Sequence, residues 1–370
     1  MTPMDSSGAP AARTLSVDLV AVVVAVTAGD PRVLTMHSVA DSLTTGQSVS
    51  PGLEDGVKRG SRSLEPKAPP SGGGEAPAGR PEFVTPQEGE ALPAGPFEQG
   101  HRSLQSGLRA WVERHTHHPL GYVEQLYTFA DRDRVDPRGE ASQVMSISYL
   151  ALSREAASAP DVATEWQPWY RYFPWEDWRA GPPPMIETQI APGLRAWVAE
   201  ARDEEQRWLR EQRVSLTFGL ADSAWNEDLV LQRYELLFET GLVQEAWRHR
   251  RLPPPGGLPE GQPMCQDYRR ILATGMARLR AKIKYRPVVF ELMPPEFTLL
   301  QLQQTVEALA GRSLHKQNFR RLIEQQELVE DTGRQQAGAA GRPAKLFRFR
   351  RGVMLERAIA GSKLPLARTL

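Results

Sequence analysis

The stretch Leu15–Val26, LSVDLVAVVVAV, sets the first condition on any fold this chain adopts. Its residues are densely apolar and β-branched, without the alternation of a half-exposed strand. They suit a strand buried on both faces, which needs a layer above and a layer below. The run is too short to span a bilayer and carries Asp18. It has neither a long basic flank nor a convincing cleavage site, so it does not read as a leader. A turn at Gly29-Asp30-Pro31 and a short strand at Val33–Met36 complete a hairpin.

The chain of 370 residues exceeds one typical core and has room for two domains with insertions. Lys+Arg and Asp+Glu both number 45, so any attraction to a polyanion has to be local. One cysteine, Cys265, excludes an intramolecular disulfide framework and a cysteine-cluster zinc site. It fits a reducing compartment, and the expectation is a cytoplasmic protein with no membrane partner.

Residues 92–117, LPAGPFEQGHRSLQSGLRAWVERHTH, hold Leu104, Leu108, Trp111 and Val112 on one helical stripe. Taken alone, that describes an amphipathic helix. The stretch also resembles a Nudix box, the glutamate-rich motif that holds divalent cations against a pyrophosphate. On that resemblance the opening glycine is Gly95, and His101 stands at the first Glu position. Arg109 keeps the Arg position, but Ala110 replaces the Glu beside it. Of the last two carboxylates only Glu113 remains, followed by Arg114, and Thr116 stands at the closing glycine. One carboxylate beside an arginine is a poor Mg²⁺ site and a plausible phosphate contact. The expectation is a Nudix fold that binds rather than cuts: no catalytic residue, no metal, no required cofactor. The competing reading is a Nudix hydrolase of a nucleoside diphosphate derivative with replacement ligands such as Glu98, Glu113 and Glu124, a set that no spacing supports.

Two strand-like runs follow at Val123–Phe129 and Val144–Leu152. The loop between them alternates Arg132, Arg134 and Arg138 with aspartates: either a solvated turn or a rim of arginines near a diphosphate. Eight of the nine tryptophans fall between 166 and 247. Core packing is the better account of them, with nucleobase stacking the alternative. Pro192–Val214 has helical periodicity, with Leu194, Trp197, Val198, Ala201, Trp208 and Leu209 near one face. Ser223 is a possible cap for a second helix interrupted at Gly241, and Pro253–Pro263 is a linker. Asp267–Tyr285 is a further helix.

Residues 286–350 read as a winged helix. Thr298 caps a helix over 299–309, closed by Gly311. A second helix near 314–326 turns Phe319, Leu322 and Ile323 inward and leaves Gln317, Arg320 and Arg321 on the opposite face, flanked by Lys316 and Asn318. A helix-turn-helix reader needs such a face for phosphates and base edges. Leu328–Glu330 and Lys345–Arg350 flank a glycine-rich tip with Arg334 and Arg342, the form of a wing. From 312 to 351 ten Lys/Arg face four Asp/Glu, a modest footprint for DNA; a basic face on a dimerisation domain is the alternative.

The runs YVEQLYTFADRDR, ISYLAL, RPVVFELMPPEFTLLQLQ, KQNFRRLIE and GRPAKLFRF, in this order, are similar to the Nudix-related transcriptional regulators, the NrtR-type repressors of NAD metabolism. Phe173-Pro174-Trp175-Glu176-Asp177 looks like the Trp-Pro strand and turn common in Nudix proteins. The resemblance implies an α+β protein: a Nudix-like α/β/α sandwich with a mixed sheet and a helical insertion, followed by a winged helix-turn-helix domain. The resemblance covers the box-to-strand region and nearly all of 264–350, not 37–90 or the insertion; with composition and periodicity for the rest, the expected organisation is a disordered tail (1–13), a Nudix-like sensor domain (14–180) with a flexible loop (45–82), a Trp-rich helical insertion (181–261), a closing helix (262–285), a winged helix domain (286–352) and a C-terminal tail (353–370). The resemblance further implies a homodimeric repressor on palindromic operator DNA, with ADP-ribose or a related nucleotide as effector, controlling genes of NAD or nucleotide-sugar metabolism. The implied DNA contacts are Lys316, Asn318, Arg320 and Arg321 on the recognition helix and Arg342 and Lys345 on the wing. Gln317 and Arg334 join them from the face and tip described above. Arg109, Glu113, Arg114, Arg132 and Arg134 are the expected ligand contacts. A third reading is a regulator whose Nudix-like domain only dimerises.

Overall fold

The computed structural model describes residues 15–38, 89–98, 100–117, 120–130, 143–155, 164–286, 288–336, 343–350 and 352. The tails 1–13 and 353–370, the loop 45–82, and Arg132, Arg134 and Arg342 lie outside the described residues.

The strands of the main sheet are β1 (Leu15–Thr27), β2 (Asp30–Ser38), β3 (Gly89–Ala91), β4 (Ala94–Pro96), β5 (Tyr122–Phe129), β6 (Gln143–Leu152) and β7 (Thr164–Pro168). Their order is β3-β2-β1-β6-β5, with β4 on β1 and β7 on β2. The sheet is mixed: β1 runs parallel to β6 from Leu15↔Gln143 to Val24↔Leu152, and its partners β2 and β4 are antiparallel. The β1–β2 turn is Ala28-Gly29, with φ of 53° and 82°. This two-residue form matches the twist of paired strands. It lies earlier than the expected Gly29-Asp30-Pro31, because Asp30 and Pro31 already pair with Thr27 and Val26.

Described helices are α1 (Leu104–Thr116), α2 (Ala191–Ala199), α3 (Glu204–Phe218), α4 (Val230–Glu239), α5 (Gln244–His249), α6 (Tyr268–Ile283), α7 (Leu299–Ala310) and α8 (Lys316–Gln325). Strand β1 shows why two layers are needed. Leu19, Ala21, Val23 and Ala25 pack in one cluster with Leu108, Trp111 and Val112 of α1. Val20, Val22 and Val24 pack in another with Ile271, Leu272, Met276 and Leu279 of α6. Each such valine contributes about 2 kcal/mol on burial. Among the described residues, no helix is long and apolar enough to cross a membrane.

Between sheet and winged helix the chain departs from its periodicity. The helix expected over Pro192–Val214 is two: α2 ends at Ala199, and Asp203 starts α3 by accepting from the Gln206 amide at 2.7 Å. Trp208 and Leu209, expected inside, face solvent. Ser223 caps nothing; its hydroxyl meets Ser215 at 2.8 Å, and Asn226 caps the short turn leading into α4. The strand expected at Phe173–Asp177 is a 3₁₀ turn over Pro174–Glu176, where Pro174 has no N–H to give a ladder. Trp169 and Trp175 are fully buried and Trp178 stacks on Trp225 at 4.7 Å, so these tryptophans build the core.

The terminal helices follow their local signals. Thr298 and Gln301 form a capping box on α7, and Gly311 ends it at φ 71°. Strands β8 (Val329–Gln336) and β9 (Ala344–Phe349) make the wing, with Phe297 pairing to Phe347 as a third short rung. Leu302, Val306, Leu309, Phe319 and Ile323 belong to the same cluster as Val22 and Leu272, so this region shares a core with the sheet. The described architecture is α+β, a layered mixed sheet followed by a winged helix.

Candidate nucleic-acid interface and its junction with the sheet

α8 presents the expected face. Phe319 and Ile323 are buried, while Lys316, Gln317, Asn318, Arg320 and Arg321 are exposed. Among the described residues, none of these five side chains has an ion-pair or hydrogen-bond partner. No side chain caps the start of the helix at His315, so its first N–H groups and their partial positive charge remain open to an anion. The wing differs, because its described cations Arg334, Lys345 and Arg348 are already paired. Arg334 meets Glu296 at 2.9 Å, Lys345 meets Asp331 at 2.9 Å, and Arg348 pairs with Glu330. Lys345 and the Gly333 amide together hold the Asp331 carboxyl below its usual value. Exposed pairs of this kind are worth little, so a phosphate can displace the carboxylates.

The box residues separate into packing and surface. The Gly95 Cα faces the Trp111 indole so closely that an added Cβ would lie 2.0 Å from it; this glycine is kept for contact. The imidazole of His101 packs over Gly107, and Ser103 caps α1 in a reciprocal box with Ser106. Arg109 donates to the carbonyls of Leu120 and, at 2.7 Å, Gly121, which fixes the chain between α1 and β5. Glu113 and Arg114 are exposed on the outer side of α1. Glu124 bonds to Lys282 and to the Tyr122 hydroxyl at 2.8 Å. Burial, with the Glu124 carboxylate beside it, pushes the Tyr122 phenol far above its usual value. Glu98, Glu113 and Glu124 do not converge: among the described residues, no group of three or more His, Cys, Asp or Glu could hold a metal ion.

The sequence did not point to the junction. Glu176 is fully buried and bonds to Arg233 at 2.7 Å and to Arg280 at 2.6 Å, both also fully buried. Burial acts to raise its pKa, but the two guanidinium groups outweigh burial and hold the carboxyl below the ordinary value. Arg280 then reaches the winged helix, donating through Nε to the Leu309 carbonyl at 2.9 Å. Trp178 N–H donates to the Gly311 carbonyl at 2.7 Å, and the Tyr170 hydroxyl donates to Ala308 O at 2.7 Å. Gly311 fits where a Cβ would lie 2.4 Å from the Glu176 carbonyl. The only local hint was a Glu in an aromatic turn. A separate cleft of about 350 Å³ is lined by Arg154 beyond β6, by Phe290, Glu291 and Met293, and by Arg348 and Phe349 of the wing.

Residues 289–349 match the family model described as the NrtR DNA-binding winged helix domain. The ADPR responsive transcriptional repressor NtrR of Acinetobacter baylyi is 40% identical over 83 residues, 22% of this chain and 33% of the relative. The chain thus aligns with about a third of the length of that curated relative. Among solved structures, NrtR of Shewanella oneidensis bound to a 27mer DNA is similar with a TM-score of 0.47 and 18% identity, over 92% of this chain and 95% of the other. A MutT/nudix family protein of Enterococcus faecalis scores 0.46 with 15% identity, over 93% and 90%. Both structural likenesses are distant. The chain carries, in residues 289–349, a winged helix domain of the NrtR type.

Proposed function

We propose that this chain is a nucleotide-responsive transcriptional repressor. The observation that carries the reading is the bare basic and amide face of α8, set in a domain that matches a DNA-binding family model. α8 enters the major groove: Arg320 and Arg321 reach phosphates or guanine edges, and Gln317 and Asn318 supply amides for base edges. Lys316 and the open start of α8 hold a phosphate, and Arg334, Arg342 and Lys345 follow the backbone or minor groove from the wing. The protein acts in the cytoplasm as a homodimer on a palindromic operator of NAD or nucleotide-sugar metabolism genes.

The effector is ADP-ribose or a related nucleotide, held and not cleaved. The name of the Acinetobacter relative supports that ligand. Glu113 and Arg114 are the contacts assigned on α1, with Arg132 and Arg134 assigned from the sequence between β5 and β6; Arg109 steadies the segment that leads to β5. Binding changes operator affinity through a coupling of about 1–3 kcal/mol.

The test is binding of the full chain to an oligonucleotide library with and without ADP-ribose, repeated with Arg320→Ala plus Arg321→Ala. The expected outcome is one enriched palindrome, lost in the double variant with the circular dichroism spectrum unchanged. In salt titrations of any residual binding, the slope should shallow by about 0.9 for each phosphate contact removed. Equal affinity of the double variant for the enriched DNA would refute the assignment of α8.

A further inference from the structure

The cleft beside the wing holds two opposite charges that do not meet. Arg154 extends from the chain beyond β6, and Glu291 from the short turn Val288–Leu292 between α6 and α7; both line the same space of about 350 Å³. Among the described residues, neither the Arg154 guanidinium nor the Glu291 carboxylate has an ion-pair or hydrogen-bond partner, each other included. Their charged neighbours are satisfied. Glu155 pairs with Arg32 at 3.4 Å, and Arg348, on the wing side of the cleft, pairs with Glu330. Glu291 rests against Gly121, where an added Cβ would lie 2.9 Å from its Oε2. Arg109 in turn holds the Gly121 carbonyl at 2.7 Å, so the chain behind the carboxylate is fixed.

The rest of the lining is apolar. Met293 is buried, and Phe290 stacks on Phe349 at 3.3 Å, with Phe297 behind Phe349 at 4.4 Å. Pro294 and Pro295 line the cleft as well and have no backbone N–H to offer a ligand. Charge then decides what fits. A simple anion drawn to Arg154 meets the Glu291 carboxylate, and a simple cation drawn to Glu291 meets Arg154. A nucleoside diphosphate brings several negative charges and no cation to answer Glu291. A molecule with one carboxylate, one ammonium and an apolar body answers every wall. Its carboxylate accepts from the forked N–H groups of Arg154, its ammonium donates to Glu291, and its side chain lies on Phe290, Met293 and Phe349. The volume sits at the small end of ligand sites, which run from about 300 to 1,000 Å³.

We propose that this cleft binds an α-amino acid with an apolar side chain. One such ligand touches both the chain beyond β6 and the wing. The site shares no residue with the nucleotide contacts assigned above, and it depends on neither the operator nor ADP-ribose.

The experiment is titration calorimetry of the full chain, without DNA or nucleotide, against L-leucine, L-methionine, L-phenylalanine and L-tryptophan. At least one should bind with a dissociation constant below about 1 mM. Its amide lacks the carboxylate and its N-acetyl form lacks the ammonium; each should bind about tenfold more weakly or worse. Arg154→Ala should weaken the parent amino acid about tenfold or more and leave the amide unchanged. Glu291→Gln should weaken the parent likewise and leave the N-acetyl form unchanged. Circular dichroism checks that both variants keep their fold, and the analogue series needs no variant at all. Binding by none of the four amino acids overturns the proposal. So does an amide or N-acetyl form that binds as tightly as its parent, which would make the cleft a site for a simple cation or anion. A variant that weakens parent, amide and N-acetyl form by one common factor overturns it too. Operator binding of the same protein, measured separately, reports on the DNA reading alone.

Discussion

Replacing Glu176 with Gln tests the junction most directly. The substitution keeps the shape of the side chain and removes its charge. Arg233 and Arg280, both fully buried, are then left facing a neutral amide. Breaking a buried ion pair by removing one partner costs about 3–5 kcal/mol, because the remaining charge is uncompensated. Here two guanidinium groups depend on one carboxylate, so a loss of about 4 kcal/mol is expected, a large share of a typical stability of about 5–15 kcal/mol. With a urea slope of about 3 kcal/mol/M, the unfolding midpoint should fall by about 1.3 M at neutral pH. The pH dependence adds an independent check. The folded Glu176 carboxyl titrates below its ordinary value of 4.5. Its contribution is therefore fully present above that value and is lost as pH falls through the folded value. The Gln variant should lack this part of the acid limb and approach the parent in stability as pH drops. A loss under about 1 kcal/mol at neutral pH, or an acid limb unchanged by the substitution, would refute the claim that Glu176 carries charge compensation for this core.

Two further substitutions test the box. Gly95→Ala places a methyl group 2.0 Å from the Trp111 indole; the overpacking should cost about 1–3 kcal/mol in urea unfolding. Unchanged stability would mean that Trp111 does not rest on this backbone. Arg114→Ala removes an exposed cation and should weaken ADP-ribose binding about tenfold or more by calorimetry, as expected for a charged hydrogen bond to phosphate, with operator affinity unchanged. An equal nucleotide dissociation constant would remove Arg114 from the proposed contacts.

The parts of the fold legible in sequence are those whose signals are local. Thr298 and Gln301 three residues apart, with Gly311 beyond, delimit α7 because caps act within one turn. The face of α8 followed from three apolar residues at helical spacing. Strand β1 was readable as doubly buried because its apolar run left no face for solvent. What was hidden depends on distant partners. Glu176 meets arginines 57 and 104 residues away, and nothing in its own turn announces them. Arg109 was expected at a ligand, yet its guanidinium holds the carbonyls of Leu120 and Gly121, which pattern alone cannot foresee. Trp208 and Leu209 were expected inside because the apolar spacing of 192–214 runs through the break; Asp203 is the local mark that the helix restarts there.

The fit of Gly311 under the Glu176 carbonyl also has a mechanical meaning. Five residues later the chain enters α8, whose ten residues span about 15 Å. Pivoting this helix by about 10° carries its tip about 2.6 Å. The groove it would enter is about 12 Å wide, and hydrogen bonds to base edges fail over shorter displacements. On the proposed reading, a rotation of this size at the glycine would take α8 out of register with its DNA site.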